Sequence, residues 1–157
     1  MVSAISRTHE IERYSAQAFS IDDADEITEG WFMERVSGTT TSHAGTALPR
    51  AQAYSANGGT TVPVGVSTWT LEAYDSTADQ TGQNRQKPRR YNPAITGEAT
   101  MINRGSDIDA FDRVAPCVSG FQEATSGMLD VGFVYEDVAA GAEGRIRFDL
   151  TNTVTIA

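Results

Sequence analysis

The sequence predicts an all-β domain, and three observations carry that expectation. Gly, Thr, Ser and Ala are plentiful while the hydrophobic fraction is 39% and the aromatic fraction 8%, a composition suited to short strands and many turns. Apolar residues alternate with polar ones in several short runs, as a half-buried strand requires. Helical periodicity is confined to Ile11, Tyr14 and Ala18, too few turns to define a helix. At 157 residues the chain is long enough to bury a modest core in one domain.

Residues 1–29 carry scattered apolar positions and end in the acidic run Asp22-Asp-Ala-Asp-Glu26, which reads as an N-terminal arm ordered by the body or by a partner. The rest, 30–157, reads as a single β domain. Ile27 to Val36 reads as a strand approached through Gly30 and closed by Ser37-Gly38, and the small polar residues Thr39 to Thr46 read as a loop. Asn57-Gly-Gly59 tolerates positive φ and marks a turn. Val62-Pro-Val-Gly-Val66 then leads into Ser67–Ala73, where Trp69, Leu71 and Ala73 share a face and predict a half-buried strand with Trp69 in the core. Residues 75–93 form a long polar loop holding Arg85, Lys87, Arg89 and Arg90, four of the 12 basic residues. A structureless loop of that length in a small domain points to a contact arm that meets an acidic neighbour, or to a solvated loop.

Strands resume at Ile95–Ile102 and at Phe111–Val118, where Pro116 has no N–H for a ladder and so predicts an edge or bulge. Ala139-Ala-Gly-Ala-Glu-Gly144 reads as the connection of a hairpin between Val131–Val138 and Arg145–Leu150. Ile146, Phe148, Leu150, Val154 and Ile156 have one parity, which predicts a long strand with Arg145, Arg147 and Asp149 on the solvated side. Val36-Ser-Gly38 and Val118-Ser-Gly120 hint at a weak internal repeat.

The net charge is −9 and the isoelectric point about 4.6. Nucleic acid is therefore not an expected partner, because phosphate binding needs clustered cations. Lys87 is the only lysine beside 11 arginines, a balance that fits either a saline host or a GC-rich genome. Cys117 is the only cysteine, so no intrachain disulfide can form, and it is expected as a small buried residue. Met1-Val-Ser-Ala-Ile-Ser-Arg7 has no apolar signal core and no run of 18 apolar residues exists, so neither secretion by a cleaved signal nor a membrane helix is expected.

Catalytic patterns are missing as well. There is no Gly-x-Ser-x-Gly elbow, and His9 and His43 are the only histidines. Neither a zinc set nor a phosphate loop is present. Asp107-x-Asp109-x-x-Asp112 has the spacing of a cation loop but lacks a Gly at Asp112 and an acid at Val118, so a turn feeding a strand is the better reading. The expectation is a protein without cofactor, metal or enzymatic activity.

The last third resembles the head-decoration, or capsid-cement, proteins of tailed bacteriophages and related archaeal viruses. The likeness rests on Gly97-Glu-Ala-Thr-Met-Ile102, Asp107 to Asp112-Arg-Val114, Ser119-Gly120, Ala124-Thr-Ser-Gly127 and Val131-Gly-Phe-Val-Tyr-Glu-Asp-Val-Ala-Ala-Gly141. Those proteins commonly read Gly-Asp-x-Val where this chain has Phe111-Asp112-Arg-Val114, so Phe111 stands in place of a glycine. The N-terminal half and the 75–93 loop have no counterpart.

The resemblance implies a small β barrel or β-tulip-like domain, commonly trimeric, on the outer surface of an icosahedral head, where it bridges capsomers and stabilises the shell. The protein would be made in the host cytoplasm and reside in the virion, with the major capsid protein and its own copies as partners, and neither nucleic acid nor membrane. The arm and the basic loop supply the candidate capsid or subunit contacts: Arg7, Arg13, Tyr14, Phe19, Arg85, Lys87, Arg89, Arg90 and Tyr91. Two other classes fit the same composition. One is another virion β protein of the head-completion, vertex or tail-tube kind; the other is a glycan-binding module with Trp31, Trp69, Tyr54, Tyr74 and Tyr91 as stacking faces.

Overall fold

The computed structural model describes residues 7–22, 25–41, 47–71 and 89–157. They form thirteen strands and, among the described residues, no helix, hence none long and apolar enough to cross a membrane. In chain order the strands are β1 (Thr8–Tyr14), β2 (Phe19–Ile21), β3 (Phe32–Thr41), β4 (Ala47–Ala53), β5 (Gly65–Val66), β6 (Arg89–Tyr91), β7 (Ala94–Asn103), β8 (Arg113–Cys117), β9 (Gly120–Glu123), β10 (Leu129–Asp130), β11 (Gly132–Val134), β12 (Glu143–Asp149) and β13 (Val154–Thr155).

Five of them close into a barrel. β7 pairs with β12, β12 with β11, β11 with β8 and β8 with β9, all antiparallel, and β9 returns to β7 through a parallel pair at Ile102↔Gly120 and Asn103↔Phe121. Closure leaves no unpaired edge within the ring, which a sheet of such short strands otherwise exposes. Inward residues Ala99, Met101, Val114, Phe121, Val134, Ile146 and Phe148 fill it. Two glycines make the ring possible. A Cβ on Gly132 (φ 158°) would lie 1.9 Å from the Arg147 carbonyl oxygen, and one on Gly120 would lie 2.1 Å from that of Ile102. Only residues without a side chain let these backbones approach so closely.

The remaining strands build outward from β7. β5 joins it at Val66↔Ala94, and the order continues β5-β3-β4-β2-β6, while β1 runs antiparallel along β7. β3 is buried on both faces at its start, Phe32–Glu34. Phe32 enters the barrel cluster with Tyr54, Val66 and Ala94, whereas its neighbour Met33 enters a second cluster with Phe19, Ile21, Ile27, Ala51 and Tyr91. Successive side chains point to opposite sides of a strand, so the uninterrupted Trp31-Phe-Met33 run serves two cores at once.

Residues 7–22 of the expected arm are ordered by the body: β1 pairs with β7, and β2 lies between β4 and β6. Several other expectations change at this level. β3 does not end at Ser37-Gly38. It bulges there, with Gly38 at φ 93°, and continues to Thr41 against β4, so Thr39–Thr41 are ladder rather than loop. β4 itself was not expected, since Leu48-Pro-Arg-Ala-Gln-Ala53 shows weak alternation.

Of the expected strand at Ser67–Ala73, residues 67–71 hold only a bridge between Leu71 and Ile27, residues 72 and 73 lie outside the described residues, and Trp69 is 65% exposed, not core. The expected long C-terminal strand breaks after Asp149, whose carboxylate accepts hydrogen bonds from Thr151 N (2.9 Å) and Thr151 Oγ1 (2.6 Å). That local turn outcompetes continuation of the ladder. β13 then pairs with β10 in a separate two-stranded sheet, leaving Val154 57% exposed.

Other expectations hold. β7 and β8 lie where predicted, and β11 and β12 form the expected antiparallel pair, although β11 spans only Gly132–Val134 of the expected Val131–Val138 and β12 begins at Glu143, inside the expected connection. Pro116 pairs with Phe121 of β9 without a bulge, and on its other side it lies beyond the β8–β11 ladder, which spans only Arg113 and Val114. Cys117 is 3% exposed and donates through Sγ to Asn57 Oδ1 (3.1 Å), and burial pushes its thiol pKa up.

Candidate functional site

Among the described residues no three His, Cys, Asp or Glu converge as metal ligands would. The aspartates of the 107–112 segment instead brace turns. Asp107 Oδ1 accepts from Ala140 N and Asp137 Oδ1 from Ala110 N, each at 2.8 Å, and Ile108 bridges Val138, so two loops lock each other at one end of the barrel.

Two surface regions stand apart from this structural use of polar groups. The first is on the barrel wall. Phe111 adopts the left-handed conformation (φ 68°) and is 68% exposed. This is a conformation that side-chain-bearing residues rarely adopt, and here it holds an aromatic ring out from the wall. Phe133 lies 6.3 Å from Phe111 and 5.2 Å from Tyr135 between ring centroids, with the Arg113 guanidinium 5.8 Å over its face.

The row ends at Glu98, 7% exposed, whose Oε1 accepts from Tyr135 Oη at 2.6 Å and whose other oxygen pairs with Arg145. The Tyr135 hydrogen bond, ahead of the arginine contacts, holds the Glu98 carboxyl below the ordinary carboxylate range against the opposing effect of burial. The same bond raises the Tyr135 hydroxyl. Beside Glu98 lies an open depression of about 480 Å³ lined by Glu10, Asp137, Glu143 and Arg145 among others.

The second region gathers some of the residues expected to make contacts. Tyr14, Arg90 and Tyr91 line a depression of about 310 Å³ with Thr68, Trp69 and Asn92. β1 ends at Tyr14, β6 supplies Arg90 and Tyr91, and the 67–70 turn carries Trp69. That turn is pinned from below: Tyr91 Oη accepts from Thr68 N (2.5 Å) and Trp69 N (3.1 Å), and Ser67 Oγ donates to the Trp69 carbonyl (2.6 Å). The Trp69 ring stands edge-on to Tyr91 at 6.1 Å and 81°. Asn92 Nδ2 donates to Ser15 O (3.0 Å), tying β1 to the rim.

The expected contact residues thus divide. Tyr14 is 54% exposed, and Arg13 and Arg90 are exposed. Arg7 lies on the barrel side, where its Nη1 pairs with Glu143 Oε1 at 2.5 Å. Phe19 and Tyr91 are not surface contacts: at 6% and 5% exposure they fill the second core, because β2 and β6 pair with each other and turn these rings inward. Arg89 is placed by its backbone, opposite Ile21, while Arg85 and Lys87, with most of the 75–93 loop, lie outside the described residues.

Of the five rings considered for stacking, Tyr54 is buried with Tyr91, Trp31 is half-buried, Tyr74 lies outside the described residues, and Trp69 alone is open. Phe111 and Phe133 were missed as surface residues. The one signal for them was Phe111 in a glycine position.

No family model matches the chain, and no curated protein matches it. Among solved structures, the crystal structure of the head fiber gp8.5 N base in bacteriophage phi29 superposes with a TM-score of 0.54 at 11% identity. The superposition covers 85% of this chain and 93% of that one. At this identity the likeness is one of fold: the small barrel with its appended strands is an architecture shared with a domain of that head fiber.

Proposed function

We propose that this is a structural protein of a virus particle, which decorates the outer surface of an icosahedral capsid and stabilises it by bridging capsomers. The observation that carries the reading is the fold likeness to the phi29 head fiber base over 85% of the chain. The resemblance of the last third to capsid-cement proteins supports it independently. The role is mechanical and not enzymatic, with the major capsid protein as the partner and self-association, as a homotrimer, adding apolar burial to a chain without disulfides.

The Phe111–Phe133–Tyr135 row suits such a contact. Aromatic rings beside an arginine are what buried interface centres concentrate, and the strain at Phe111 offsets what its one ring contact gives the monomer. The exterior remains acidic, which keeps particles apart.

The test mixes purified protein with heads lacking it and images them. Regular density at capsomer junctions, with heads that withstand more heating than bare ones, is the expected result. Phe111→Gly should weaken attachment about tenfold or more while leaving the monomer's stability within about 1 kcal/mol, since relief of the left-handed strain offsets the lost ring contact. Density only at a vertex or tail would favour another virion β protein, and no binding with unchanged heat resistance would end the proposal.

A further inference from the structure

The Trp69 depression is not accounted for by a capsid contact on the barrel wall. We propose that it is a carbohydrate site that takes a neutral pyranose ring of an oligosaccharide. Trp69 is 65% exposed, yet its turn is fixed by hydrogen bonds from Thr68 N and Trp69 N to Tyr91 Oη and from Ser67 Oγ to the Trp69 carbonyl. A rigidly presented indole loses little conformational freedom on binding, which is what preorganised sites exploit. Tyr14, 54% exposed, adds a second ring beside the same 310 Å³ depression. Flat apolar faces match the C–H face of a pyranose.

The rim supplies the polar half. Arg90 is exposed and makes no ion pair among the described residues, Thr68 carries a hydroxyl that meets Tyr91 Oη at 3.0 Å, and the Asn92 amide donates through its nitrogen to Ser15 O. A few polar groups around an apolar floor is the usual make-up of a small-ligand site, and this one is at the small end of the range, about 300 Å³. Stacked bases of single-stranded nucleic acid would meet the same rings. The net charge of −9 argues against any polyanion, acidic polysaccharides included, so the neutral sugar is favoured.

The experiment titrates the isolated full chain with maltotriose, cellotriose, triacetylchitotriose and mannotriose, and separately with an oligothymidylate, by calorimetry and saturation-transfer NMR. Binding of at least one neutral trisaccharide is expected, with Trp69→Ala weakening it about tenfold or more, Tyr14→Ala weakening it less, and Phe111→Gly leaving it unchanged. Both weakening variants change exposed residues, and an unaltered thermal transition checks that they fold. Binding of none of the four sugars, binding that survives Trp69→Ala, or binding of the oligothymidylate alone would overturn the proposal. Because no heads are used, the outcome is separate from that of the capsid experiment.

Discussion

The barrel and the outer sheet solve the same problem in opposite ways. The five-strand ring satisfies its backbone by closing, and its interior belongs to one cluster that Phe32, Tyr54, Val66 and Ala94 extend beyond the ring. The outer order β5-β3-β4-β2-β6 ends in the three-residue strand β6 and rests on a smaller cluster of Phe19, Ile21, Ile27, Met33, Ala51 and Tyr91. Closure tolerates little change in backbone spacing, whereas an open sheet can present irregular turns such as the one that holds Trp69. The rigid half carries the aromatic row, and the open half carries the groove.

The sharpest way to break the comparison is at ring closure. Gly132→Ala places a Cβ 1.9 Å from the Arg147 carbonyl oxygen, so β11 and β12 must separate. The expected loss is about 3 kcal/mol or more, read as a collapse of the thermal transition or as insoluble expression. In the outer order the tight glycine is Gly65 of β5, where a Cβ would lie 2.4 Å from the Pro93 side chain, and β2, β4 and β6 contain no glycine.

Next come the two neighbours on β3. Phe32→Ala empties volume in the barrel cluster and should cost about 3–5 kcal/mol, while Met33→Ala empties the second cluster at about 2–4 kcal/mol. Because one strand lines both cores, denaturant unfolding followed by near-ultraviolet circular dichroism and by fluorescence should give coincident transitions in each variant. Two separate transitions would mean that the halves are independent.

The smallest effect concerns Glu98. Its folded pKa is depressed, so its contribution is complete above the unfolded value of about 4.5 and declines as pH falls through the lower folded value. Glu98→Gln should cost about 1–2 kcal/mol at pH 7, with the difference from the native protein shrinking as the pH is taken down to 3. Thermal melts at pH 7, 5 and 3 measure it, and a constant difference would assign the loss to packing alone.

Part of this architecture was legible because it depends on local chemistry. Alternation placed β12, and the turn-forming residues Asn57-Gly-Gly59 and Ala139–Ala142 lie between strands, while Glu143 and Gly144 of the expected connection already belong to β12. The bulge at Gly38 and the turn at Asp149–Thr151 were harder, since each competes with a strand pattern that is itself sound. The contact residues divided for a similar reason. A tyrosine at a strand end gives no sign of whether it faces solvent, as Tyr14 does, or the core, as Tyr91 does.

The sequence by itself determined the all-β class and the position of the barrel's central strand, because composition and strand-forming residues act within a few positions, whereas the left-handed conformation of Phe111 came only with the structure. Only the tertiary structure decided that β9 returns in parallel to close the ring, that β3 serves two cores, and that Tyr14, Trp69 and Arg90 share one depression. Those depend on which face of each strand meets which distant partner, and pairing between residues tens of positions apart leaves no periodic trace along a single chain.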